Sequence, residues 1–127
     1  MSNKVTIGSW ITLGHASIAE LMADAGFDWL CIDIEHTVID LLEVQNLIIA
    51  IQSKGKKAYV RVGDNDNVII KKVLDAGANG IIVPLIKNSN DAKKAIANSF
   101  YPPLGSRGVN SASRAQRYGF GFKDYLL

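Results

Sequence analysis

Apolar residues along this chain fall into short β-branched or aromatic runs separated by stretches that repeat every three or four residues. A first strand is predicted over 5–13, broken at Gly14. Ser17 is placed to cap the next helix, with Glu20 three residues on completing a capping box, and helical spacing continues until Gly26 stops it. The run 27–34 is almost continuously apolar, which suits a parallel strand covered on both faces. Asp40 opens a second helix with apolar residues at 41, 44, 48 and 51, and the basic turn 53–57 leads out of it. There follow a third strand over 58–62, a third helix over 68–76 ended by Gly77, and a fourth strand over 80–86. A fourth helix is capped from 88–91 and runs to 98; 101–110 is a Gly/Pro-rich loop, and 122–127 begins another helix.

Strand and helix alternate four times with short connections, which predicts right-handed crossovers and a parallel sheet. Two α/β architectures fit: a flavodoxin-like doubly wound sheet, or part of a (β/α)8 barrel. The chain has 127 residues, whereas an entire barrel needs about 250. No linker or low-complexity segment divides it, so residues 1–127 read as one domain.

Composition narrows the function classes. Hydrophobic residues make up 48% and charged residues 20%, which is globular rather than disordered. A net charge of +2, scattered along the chain, argues against a nucleic-acid partner. No apolar run approaches the roughly 20 residues of a membrane span, and the N-terminal stretch lacks a signal-peptide core. The single cysteine, Cys31, lies within an apolar run, so it reads as a small buried residue and a cytoplasmic location is expected.

The chemistry gathers at the end of the second strand, where Asp33, Glu35 and His36 follow an apolar run. Ligands of α/β folds bind at the carboxyl ends of parallel strands. An imidazole is the side chain best suited to proton transfer near neutral pH, and the carboxylates could bind a divalent metal or hold its waters. Arg61, between Val60 and Val62, needs a partner on a buried strand: either an anionic substrate group or a salt bridge to Asp33 or Glu35. Asp75 closes the third helix, where a carboxylate opposes the helix dipole; it is a surface residue or the orienter of a histidine. Arg107, between glycines and beside Ser106, could meet an anion. His15 has no evident partner, Arg114 and Arg117 read as solvated or interfacial, and Trp10 and Trp29 as core.

Together these residues resemble the HpcH/HpaI aldolases. The resemblance rests on AGFDWLCIDIEH at 25–36, VRV at 60–62, VLDAG at 73–77 running into IVP at 82–84, and YPPLGSRG at 101–108. It implies the first half of a (β/α)8 barrel from enzymes that reversibly cleave 4-hydroxy-2-oxo acids into pyruvate and an aldehyde. It further implies a divalent metal, Mg²⁺, Mn²⁺ or Co²⁺, acting as a Lewis acid. By motif, His36 is the catalytic base, Arg61 stabilises the enolate oxygen, and Asp75 raises the basicity of His36. Asp33 and Glu35 lie in or beside the metal's outer shell, with direct ligands expected beyond residue 127. Asn110 departs from the glycine of many relatives. The implied partners are a small 2-oxo acid, an aldehyde and further copies in a homo-oligomer, or a chain paired through open sheet edges. A non-catalytic half-barrel that binds small anions or assembles with a partner is the other reading.

Overall fold

The computed structural model describes residues 5–126; the first four residues, part of the stretch read as lacking a signal-peptide core, and Leu127 lie outside the described residues. Four strands, β1 (Gly8–Ile11), β2 (Trp29–Asp33), β3 (Lys57–Arg61) and β4 (Gly80–Ile82), alternate with α1 (Ala16–Asp24), α2 (Leu41–Ser53), α3 (Asn67–Asp75) and α4 (Ser89–Ser99). All strand pairs are parallel, and the order in the sheet is β1-β2-β3-β4. That sequential order decides between the two architectures. A doubly wound sheet reverses its strand order at a switch point. Here each helix packs on the next along one face, as in a wedge of a (β/α) barrel.

Burial follows the strand alternation. Ile11, Leu30, Ile32, Ala58 and Val60 face the helices and meet Val44, Leu47, Ile48, Ile51, Ile70 and Val73 in the main core. The opposite face carries Trp10, Cys31, Tyr59, Asp33, Arg61 and Ile82, and no helix among the described residues packs on it. The near-continuous apolar run of β2 therefore does not mean a helix layer on each side. Cys31 and Asp33 are buried, whereas Trp10 is 43% exposed. Trp10 and Trp29 are not core; Trp29 sits edge-on to Tyr59 with ring centroids 5.8 Å apart.

Of the three predicted caps, those on α2 and α4 are formed, Asn88 accepting from the N–H groups of Asn90 and Asp91, and that on α1 differs. Asp40 and Glu43 close a reciprocal capping box on α2, each side chain accepting from the other's backbone N–H at 2.8 Å. On α1 the cap is His15, not Ser17: its Nδ1 accepts from the Ser17 N–H at 3.2 Å, and Ser17 lies inside the first turn. β4 ends four residues earlier than expected. Pro84 has no N–H for a ladder, and Leu85 turns into the left-handed region at φ 55°.

The segment 101–110 is a loop without regular structure, as its composition predicts, but its side chains fasten it to the fold. A 3-10 segment, Arg114–Gly119, and a last helix, α5 (Phe122–Leu126), follow it. Asn110 avoids left-handed backbone, and its Oδ1 accepts from the Ala112 N–H. Arg114 is no solvated cation: it donates to the Ala76 carbonyl and to Gln52 Oε1, each at 2.9 Å. Arg107 turns inward, is 3% exposed, pairs with Asp75 Oδ1 and lies against the rings of Tyr101 and Tyr125. Burial works against its charge, yet Asp75 and the Tyr125 hydroxyl outweigh that and hold the guanidinium protonated.

Removing one partner of such a pair leaves a buried charge alone. Asp75→Ala is expected to cost about 3 kcal/mol, read as an earlier urea midpoint, and Asp75→Leu combined with Arg107→Met recovers much of the loss. A double variant no more stable than Asp75→Ala would show that the pair is not what fastens this segment.

Candidate active site at the carboxyl end of the second and third strands

β2 stops at Asp33 because its own side chain folds back on the chain. Asp33 Oδ1 accepts from the backbone N–H of Glu35 at 3.0 Å and of His36 at 3.4 Å, and the Thr37 hydroxyl donates to the Asp33 carbonyl. The Ile39 N–H then donates to Thr37 Oγ1 at 3.2 Å, so the turn is tied at both ends. An Asp that captures the amide two residues on is a turn former, which is what lets an apolar strand end in a polar loop.

Asp33 and Arg61 are direct neighbours in the sheet register. Arg61 donates through Nε to Asp33 Oδ1 at 3.0 Å and through Nη2 to Asp33 Oδ2 at 2.6 Å, a bidentate fork. Glu35 Oε2 lies 3.2 Å from Arg61 Nε, so both carboxylates converge on one guanidinium. The salt bridge weighed from sequence is thus present, but Nη1 of Arg61 donates to nothing among the described residues. Arg61 lowers the Asp33 pKa below its ordinary 3.8 against the opposing effect of burial, while Asp33 raises that of Arg61.

His36 stands beside this pair with its side chain 69% exposed and Nε2 3.6 Å from Glu35 Oε1. That is beyond hydrogen-bond range, but within reach of a mutual adjustment when substrate or a further wall is present. Asp75 is not brought here. α3 runs antiparallel to the strands, so Asp75 lies at their amino ends, about 13 Å of helix away from the loop that follows β3. Its role as the partner of His36 is therefore not formed within this chain; the carboxylate next to His36 is Glu35. His15 is used as a helix cap and Arg107 as an internal pair, so neither joins the site.

The implied metal has no ligand set here. Among the described residues no three of His, Cys, Asp and Glu are grouped to hold an ion. The two carboxylates proposed for the metal shell both face Arg61, which competes for the same oxygens. Sequence reasoning missed Trp10 altogether: its ring lies over the Arg61 guanidinium at 4.7 Å. An aromatic in an apolar run gives no signal that it faces a cation two strands away.

Comparison with known proteins bears on the same stretch. The HpcH/HpaI aldolase/citrate lyase family model matches residues 6–115. The chain is 44% identical over 126 residues to 4-hydroxy-2-oxo-heptane-1,7-dioate aldolase of Salmonella dublin, covering 98% of this chain and 48% of that one. It is 41% identical to 2-dehydro-3,6-dideoxy-6-sulfogluconate aldolase of Pseudomonas putida over 89% of this chain and 44% of that one. The crystal structure of a family protein from Burkholderia cenocepacia J2315 superposes with a TM-score of 0.89 at 38% identity, covering 95% of this chain and 49% of that one. This chain belongs to the HpcH/HpaI aldolase/citrate lyase family. It spans about half the length of the relatives it matches.

The Asp33 fork gives a pH signature. Its folded pKa lies below the unfolded one, so it contributes stability above the unfolded value of 3.8 and loses it as pH falls from there through the folded value. Stability measured by urea unfolding is expected to fall through this window in the wild type. Asp33→Asn, less stable near neutrality, loses that part of the slope; an unchanged slope would exclude the fork as its source.

Proposed function

We propose that this chain supplies the base and oxyanion side of a metal-dependent aldolase that reversibly cleaves a 4-hydroxy-2-oxo acid into pyruvate and an aldehyde. The observation that carries the reading is the Asp33–Arg61 fork beside His36 at the carboxyl ends of adjacent parallel strands, in a family whose named relatives are aldolases. In the cleavage direction His36 removes the proton of the C4 hydroxyl. The C3–C4 bond breaks, the aldehyde leaves, and the electron pair moves onto the C2 oxygen as the enolate of pyruvate. The free edge of Arg61 stabilises that oxygen, and Asp33 holds the guanidinium in place while it does so. Protonation at C3 completes pyruvate.

A divalent metal, Mg²⁺, Mn²⁺ or Co²⁺, belongs to the proposal by family resemblance, as the Lewis acid for the 2-oxo acid. Since these residues form no ligand set, Asp33 and Glu35 are assigned to Arg61 and to waters around the ion rather than to the ion itself. Assembly is part of the same reading. Among the described residues β1 and β4 are open edges, and parallel strands are found covered rather than exposed. A further (β/α) half or another copy against the open face would enclose the site. Asp75 could then act on His36 only from a second copy, because the two lie at opposite ends of this one. A cytoplasmic location accords with Cys31, a buried free thiol pushed up to about 11 mainly by burial.

Two measurements test this. In the protein with metal added, pyruvate release from a 4-hydroxy-2-oxo acid is expected to fall about 10²–10⁴-fold in His36→Ala; turnover equal to wild type would remove His36 from the role of base. A polypeptide of residues 1–127 alone is expected to show little or no turnover with Mn²⁺ or Mg²⁺. Activity in that polypeptide that disappears in His36→Ala would refute the need for ligands from elsewhere.

A further inference from the structure

Arg61 is held in its own plane by the Asp33 carboxylate, but a fork of that kind is a hinge: it fixes two N–H groups and leaves the guanidinium free to rock about them. What faces the flat of the guanidinium decides whether its free edge keeps one direction. That surface is Trp10. From β1, two strands away from β3, its indole lies over the guanidinium carbon of Arg61 at 4.7 Å from the ring centroid, within cation–π range. Asp33 on β2 lies between them in the strand order. Arg61 therefore leans across β2 to reach β1, and three adjacent strands converge on one cation.

The N–H inventory shows what the clamp leaves over. Arg61 has five N–H groups. Nε donates to Asp33 Oδ1 with Glu35 Oε2 close by, and one Nη2 hydrogen goes to Asp33 Oδ2. Both Nη1 hydrogens and the second on Nη2 have no acceptor among the described residues. They form the edge on which a planar oxyanion could be received. The indole is 43% exposed on the open face.

We propose that Trp10 is a positioning residue: its indole holds the Arg61 guanidinium flat so that the free edge presents to the carboxylate or enolate oxygen of a small planar oxyanion. Three contacts then set the cation: the Asp33 fork in its plane, the Glu35 carboxylate beside Nε, and one π-face. Lysine at 61 could set its charge over the ring but could neither make the fork nor lie flat against the indole. The inference rests on the reading of Arg61 as the oxyanion-stabilising group, and its test is built so that the two fail separately.

Oxalate, a planar dianion that resembles the enolate of a 2-oxo acid, is the probe, titrated by calorimetry into the protein with Mg²⁺ present. Trp10→Leu is expected to bind oxalate about three- to thirtyfold more weakly, and Trp10→Phe, which keeps a ring face, to recover most of the loss. kcat for cleavage of the 2-oxo acid should fall with Trp10→Leu more than KM rises. A second readout needs no turnover. In Trp29→Phe protein, Trp10 is the remaining tryptophan of the chain's two, and its emission is expected to change on adding oxalate and again in Arg61→Gln without ligand. Oxalate binding that Arg61→Gln abolishes but Trp10→Leu leaves within twofold overturns the positioning role and keeps the reading of Arg61. Trp10 emission indifferent to Arg61→Gln likewise overturns the stack. If wild-type protein does not bind oxalate, or Arg61→Gln binds it equally well, the reading of Arg61 fails and the inference falls with it.

Discussion

A carboxylate and a guanidinium facing one another across adjacent strands hold together everything of chemical interest in this chain. Asp33 is 3% exposed, and a charge so placed is tolerable only when it is paired and its oxygens are filled. Arg61 takes both oxygens, and two backbone N–H groups share one of them. Those amide bonds also end β2 and fold the next residues into a turn, which is how Glu35 and His36 come to lie beside Arg61. One aspartate thus acts on three levels: it terminates a strand, orients a cation and sets the direction in which a histidine leaves the sheet.

A second pair does the opposite task at the opposite end. Asp75 and Arg107 meet near the amino ends of the strands, with Tyr101 and Tyr125 against the guanidinium. Their partners are all internal, and Arg107 is as buried as Asp33. In (β/α) barrels the carboxyl ends of strands carry chemistry and the amino ends carry stability, and the two arginines of this chain divide along that line. Arg61 keeps N–H groups in reserve, whereas Arg107 is enclosed in a pair that fastens the segment after α4.

The sheet itself is covered on one face only among the described residues, with both outer strands open. Tryptophan, tyrosine and isoleucine side chains stand half exposed on the uncovered face, next to the charges of the site. An oxyanion site open to bulk water stabilises charge weakly, because water competes for every N–H and raises the local dielectric. Closure of this face by a further half or another copy would therefore complete the site's physics as well as its shape.

The sequence by itself determined the local order. Hydrophobic period gave the four strand–helix repeats; Asp40 and the 88–91 stretch marked where α2 and α4 begin; and the motif around Asp33, Glu35, His36 and Arg61 pointed to the family. These are legible because caps, turns and period act over a few residues. What joins distant residues was decided only by the tertiary structure. Sequential strand order excluded the doubly wound sheet, and Asp75 turned away from His36 because a helix antiparallel to its strand puts its two ends on opposite sides of the sheet. Arg107, read as an external anion binder, found a carboxylate 32 residues back, and Trp10, read as core, met Arg61 from two strands away. A contact across the fold leaves no periodic trace along the chain, so the partners of its charges become visible only when the strands lie side by side.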